Sequence, residues 1–140
     1  MSDHRRKRVL VVDDDRQFLE ATRLVLEKHG YDVLTAADGH DGLICAERES
    51  PDLIVLDVMM PRRSGFAVLD RIGGRGDSGP RIIVMTANEE ERHCEIAHAK
   101  GAHAFLRKPF EMRELLTTVD RLLQDRPRFS TGCQEMTAQP

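Results

Sequence analysis

The stretch Asp52–Gly65 reads DLIVLDVMMPRRSG, and its first six residues decide the fold. Leu53 to Leu56 are four consecutive aliphatic residues closed by Asp57, with no polar position left to face solvent. Such a run predicts a strand buried on both faces, the usual condition in a parallel sheet covered by helices. Four more short strands are predicted on either side of it: Arg8 to Val12, Asp32 to Thr35, Arg81 to Met85 and Ala104 to Arg107. The segments between them are long enough for crossover helices, so parallel pairing is allowed. Phe18, Leu19, Thr22, Leu24, Val25 and Leu26 recur at helical spacing and stop at His29 and Gly30. Further helices are predicted over Asp41 to Arg48, Gly65 to Ile72, Glu89 to Lys100 and Glu111 to Gln124. A β-α unit repeated five times, with right-handed crossovers, gives an α/β doubly wound architecture with helices on both faces of one parallel sheet.

The rest of the composition agrees with one such domain. The chain has 140 residues, 40% hydrophobic and 32% charged, enough to bury a core and too apolar for global disorder. Residues 1–7 read as a basic N-terminal arm, 8–125 as the folded domain, and 126–140 as a flexible C-terminal tail or the start of a linker. The net charge of -3 carries no general nucleic-acid footprint, and the arm alone would bind nucleic acid weakly. No direct nucleic-acid binding is expected. The apolar runs are too short to span a bilayer, and Asp13 to Asp15 interrupt any signal-peptide core, so a cytoplasmic location is expected.

Cys45, Cys94 and Cys133 are odd in number and lack Cys-x-x-Cys spacing, which predicts reduced thiols. Cys94 and His98 lie one helical turn apart but lack the partners of a zinc site, and with His93 they are expected on the surface. Gly73, Gly74, Gly76 and Gly79 follow a helix and lack a Gly-Lys-Ser/Thr ending, so they read as a turn rather than a phosphate loop.

In an open parallel sheet, ligands bind at the carboxyl ends of the strands. Asp13, Asp14 and Asp15 follow the first strand, Asp57 ends the third, Thr86 and Ala87 end the fourth, and Lys108 and Pro109 end the fifth. Asp15 reads as a helix N-cap. The other three carboxylates would repel one another by about 3 kcal/mol per pair at a separation near 5 Å and an effective dielectric near 20. Lys108 offers one positive charge, and three carboxylates favour a hard divalent cation such as Mg²⁺. A hydroxyl, an ammonium and a metal around a carboxylate suit a phosphoryl group, which makes Asp57 a candidate nucleophile. A purely structural acidic rim remains the alternative at this level.

The strings VLVVDDD, DLIVLDVMMPRRSG, IIVMTA and FLRKPF, in this order, closely resemble the response-regulator receiver domains of two-component signalling. The resemblance runs from about Arg8 to Gln124 and implies a flavodoxin-like sheet of strand order 2-1-3-4-5. It implies that Asp57 is the phosphoacceptor and that Asp13, Asp14, Asp57 and the Met59 backbone carbonyl hold Mg²⁺, with Mn²⁺ as an alternative. Lys108 and Thr86 would contact the phosphoryl oxygens, Ala87 would leave room for the backbone, and the Lys108-Pro109 peptide would be cis. Phe105 matches an aromatic switch position and, lacking a hydroxyl, is expected to stay buried without phosphate. Met59 and Asn88 flank the reaction centre, and the apolar Met59 is expected to slow hydrolysis by restricting water.

The implied partners are a sensor histidine kinase or phosphotransfer protein and a downstream effector protein, met through helix four, strand five and helix five. The chain would act as a monomer or a phosphorylation-dependent dimer, with Mg²⁺-dependent self-phosphorylation and self-dephosphorylation its only catalysis. An aspartate-nucleophile phosphohydrolase is disfavoured because Asp57 follows the third strand rather than the first. A docking module that is never phosphorylated is disfavoured by the intact Asp57, Thr86 and Lys108 set.

Overall fold

The computed structural model describes residues 6–59, 65–73, 79–87 and 91–124. Five strands alternate with five helices: β1 Arg8–Val12, α1 Arg16–Lys28, β2 Asp32–Ala36, α2 Gly39–Glu49, β3 Leu53–Asp57, α3 Gly65–Ile72, β4 Arg81–Thr86, α4 Glu91–Ala99, β5 Ala104–Arg107 and α5 Met112–Gln124. All pairings are parallel, and the order across the sheet is β2-β1-β3-β4-β5. The chain leaves β1 for the outer strand β2 and returns to the other side of β1 as β3, with Val12 level with both Ala36 and Leu56. That reversal opens a crevice at the carboxyl ends of β1 and β3.

The aliphatic runs occupy the interior as their composition requires. Every residue of β3 and β4 is buried, and so are Val9 to Val12 of β1. Each such Val, Leu or Ile contributes about 1.5–3 kcal/mol relative to exposure. β2 departs from the expectation of strands buried on both faces: only Ala36 is buried, while Asp32 and Thr35 are exposed. It is an edge strand, so its outer side has no neighbour.

Local signals set the helix ends. Asp15 caps α1 by accepting hydrogen bonds from the backbone N–H groups of Gln17 and Phe18 at 3.0 and 3.2 Å. Gly30 follows α1 with a φ of 93°, a conformation that favours glycine. α2 begins at Gly39 rather than Asp41, because Asp38 caps it by accepting the Asp41 N–H at 2.8 Å. The α3 termini fit tightly. A Cβ on Gly65 would lie 2.3 Å from the Asp57 carbonyl oxygen, and one on Gly73 would lie 2.0 Å from that of Lys100.

Cys94 is buried in the core at 2% exposure, which corrects its expected surface position. It lies on the inner face of α4 with Ala97, and a small thiol behaves there as an apolar side chain. The His93 side chain, Asn88, Glu89, Glu90, Cys133, Gly74, Gly76 and the 126–140 tail lie outside the described residues.

The amino-terminal edge of the sheet carries charges in matched pairs. The Arg8 backbone N–H donates to the Asp52 carboxylate at 2.8 Å, and the Arg8 guanidinium donates to the Glu49 carbonyl at 2.9 Å and faces its carboxylate at 3.4 Å. Arg6 lies 3.9 Å from Asp32, and Lys100 lies 2.5 Å from Asp70. Among the described helices none is long and apolar enough to cross a membrane.

Candidate phosphoryl-acceptor site

At the carboxyl edge the charges do not match. β1 delivers Asp13 and β3 delivers Asp57 to neighbouring positions, and both are buried, at 0% and 5% exposure. Asp14 joins them from the exposed side. One carboxylate oxygen from each of the three lies within 4.8 Å of the others. The cation among them is Lys108, which follows β5 and donates to Asp13 Oδ2 at 2.6 Å and to Asp57 Oδ2 at 3.3 Å. Among the described residues, three carboxylates around one ammonium leave negative charge uncompensated. That donor set, oxygen-rich and in excess of its cation, fits a hard divalent ion such as Mg²⁺.

The second oxygen of each buried carboxylate is fixed by backbone. Asp13 Oδ1 accepts the Asp15 N–H at 2.9 Å, and Asp57 Oδ1 accepts the Met59 N–H at 2.8 Å. Burial pushes the Asp13 carboxyl above its usual value, aided by the Asp57 charge and opposed by Lys108 and the Asp15 N–H. Burial alone would lower the Lys108 ammonium, but the two carboxylates outweigh it and its pKa is raised. Lys108 is therefore a fixed positive charge.

Thr86 is fully buried at the end of β4, and its carbonyl accepts the Lys108 N–H at 2.8 Å, which ties the β4 and β5 ends together. Ala87, next in the chain, is exposed at the rim. The Lys108-Pro109 peptide is cis. Phe105 is buried at 3% exposure beside Val84 in the β4–β5 register. The Met59 side chain is 48% exposed on the loop after β3.

Two contributors escaped the sequence reading. Gly65 was legible as the end of a motif and the start of a helix, but not as the place where the Asp57 carbonyl packs against the position its Cβ would take. Phe18 was legible only as an apolar position of α1. Its ring lies under the Lys108 ammonium, 4.9 Å from Nζ to the ring centroid, and meets the Phe110 ring edge to face. No spacing rule links residues 18, 108 and 110; only the fold brings them together.

A family model described as the response regulator receiver domain matches residues 9–120. The chain belongs to the response-regulator receiver family. This receiver is 40% identical over 130 residues to the alkaline phosphatase synthesis transcriptional regulatory protein PhoP of Bacillus subtilis, covering 93% of this chain and 53% of that protein. It is 42% identical over 117 residues to the response regulator MprA of Mycobacterium tuberculosis, covering 84% of this chain and 50% of that one. The chain thus spans about half the length of the curated relatives it matches. Among solved structures, a CheY-like receiver domain protein from Methanospirillum hungatei superposes with a TM-score of 0.79 at 30% identity, over 86% of this chain and 95% of that one. Receiver domains serve two-component systems, are in general phosphorylated on aspartate, and in general bind Mg²⁺ at an acidic pocket.

Proposed function

We propose that this receiver is a phosphorylation-dependent switch whose phosphoacceptor is Asp57. The observation that carries the reading is a buried carboxylate at the end of β3 that faces one lysine ammonium and two further carboxylates. A carboxylate oxygen of Asp57 attacks phosphorus. An O–P bond forms as the P–N bond of a phosphohistidine breaks, and the imidazole leaves and takes up a proton. With an acyl phosphate the P–O bond breaks instead and a carboxylate leaves.

Asp13, Asp14, Asp57 and the Met59 carbonyl would hold Mg²⁺, which supplies the positive charge that lets a carboxylate and a phosphoryl group approach. Lys108 carries its ammonium from the carboxylates to a phosphoryl oxygen, and Thr86 donates its hydroxyl to another. Ala87, small and at the rim, leaves space for backbone approach. The phosphoryl donor is a sensor histidine kinase or phosphotransfer protein in the cytoplasm. The output face is α4, β5 and α5, with buried Phe105 behind it, and it addresses a downstream effector protein. Residues 8–125 are the switch unit.

Incubation with Mg²⁺ and acetyl phosphate, followed by intact mass measurement, tests this reading. One phosphoryl group on the parent and none on Asp57→Asn is expected. No adduct on the parent, under conditions that label another receiver, overturns it in favour of a docking module.

A further inference from the structure

Lys108 has a flexible four-carbon stem and a strongly hydrated head, and its side chain is 24% exposed. Its carboxylate contacts alone leave it one-sided, held at Asp13 and Asp57 and open toward solvent. Nζ also lies over the Phe18 ring, 4.9 Å from its centroid, and the ring face carries the negative end of the aromatic quadrupole. We propose that Phe18, buttressed by Phe110, is a positioning residue for phosphoryl transfer: its ring holds the Lys108 ammonium beside Asp57. This rests on the reading of Asp57 as phosphoacceptor.

The ring is itself held from two directions. On the α1 side, the Phe18 N–H donates to the Asp15 carboxylate at 3.2 Å, and the Asp15 N–H donates to Asp13 Oδ1 at 2.9 Å. On the β5 side, Phe110 follows Lys108 by two residues and meets Phe18 with centroids 6.0 Å apart and planes at 86°. Asp13, Asp15, Phe18 and Lys108 therefore form a closed circuit, since Lys108 returns to Asp13 at 2.6 Å. A shift of the first turn of α1 moves the ring and the carboxylate together.

An aromatic face suits this task better than a third carboxylate. It attracts the ammonium without accepting a directed hydrogen bond, so Nζ stays beside Asp57 while its N–H groups turn from carboxylate to phosphoryl oxygens. An aliphatic side chain of similar size would fill the space and leave the ammonium free to swing into water.

The test compares the parent with Phe18→Leu, Phe18→Met and Phe18→Tyr. Two quantities are read: the first-order rate of adduct formation with Mg²⁺ and saturating acetyl phosphate, and the Lys108 ε-methylene resonance without phosphate. Leucine and methionine keep apolar bulk without a ring, so the methionine variant carries the test should leucine fail to fold. The rate is expected to fall about three- to tenfold in both, and to return within about twofold of the parent with tyrosine. The ε-methylene resonance should lose its ring-current shift in the first two variants and keep it in the third. Leucine and methionine variants that react at the parental rate overturn the positioning role and leave the Asp57 reading intact. A tyrosine variant as slow as leucine also overturns it, because the ring would then not be the cause. A parent that takes no phosphoryl group removes the Asp57 reading and this inference with it.

Discussion

The two edges of the sheet handle charge in opposite ways. At the amino-terminal edge several acids each face a base: Glu49 with Arg8, Asp32 with Arg6, Asp70 with Lys100. These groups are largely solvated, and such pairs contribute about 0–1 kcal/mol each. At the carboxyl edge the two buried carboxylates, Asp13 and Asp57, share Lys108, and Asp14 lies beside them. Matched and solvated charge is a surface, whereas unmatched and buried charge is maintained against stability and is the arrangement on which the proposed entry of a cation and a phosphoryl group rests.

Helix α3 spans from one edge to the other, and its ends give the largest expected effect. Ala at Gly65 or at Gly73 places a Cβ against a carbonyl oxygen that cannot yield without backbone movement. Each substitution should cost about 2–3 kcal/mol in urea unfolding. The two should separate functionally. Gly65→Ala displaces the Asp57 backbone and slows adduct formation, while Gly73→Ala leaves the rate of the folded protein unchanged. Equal rates in both would break the distinction between the edges.

Next comes the charge itself. The Asp13 carboxyl is raised by burial, so its ionised form costs stability in the absence of metal. Asp13→Asn keeps an oxygen for the Asp15 N–H and removes the buried charge, so it should stabilise the metal-free protein at neutral pH in urea unfolding. A folded pKa above the unfolded one contributes stability that is present below the unfolded value and lost as pH rises through the folded value. The advantage of Asp13→Asn should therefore shrink as pH falls from 7 into the carboxylate range. An advantage that grows on acidification would contradict the burial argument.

A smaller change is expected at the rim. Met59 is half exposed two residues after Asp57, the proposed acceptor, and Met59→Asn should shorten the phosphoryl lifetime a few-fold by admitting and orienting water. Decay of the isolated phosphoprotein measures it, and an unchanged lifetime removes Met59 as a water barrier. The smallest effect belongs to the amino edge. Glu49→Gln, which removes the charge facing Arg8, should change the unfolding free energy by no more than about 0.5 kcal/mol.

The sequence was most legible where local physics decides. Aliphatic runs located all five strands to within a residue, and Asp15 was readable as the α1 cap because a short oxygen side chain before a periodic segment has few other uses. The α2 start was missed by two residues because Asp38 caps a helix that opens on glycine, a residue that reads as loop. Exposure of β2 was not legible, since an edge strand and a central one differ by their neighbours rather than by their own residues. The lateral order of strands came from family resemblance, because hydrophobic periodicity carries no information on which strand lies beside which. The carboxylates of the site were found by the rule that ligands gather at strand ends. Phe18 was not, because its role depends on α1 and the loop after β5 meeting across 90 residues.

The excess charge at the carboxyl edge is proposed to be a metal site, and a Mg²⁺ titration followed by backbone amide shifts tests this directly. Saturable shifts confined to residues near 13–15, 57–59, 86–87 and 108, weakened at least tenfold by Asp13→Asn, are predicted. No saturable shift in the parent, or an equal affinity in the variant, would contradict the account.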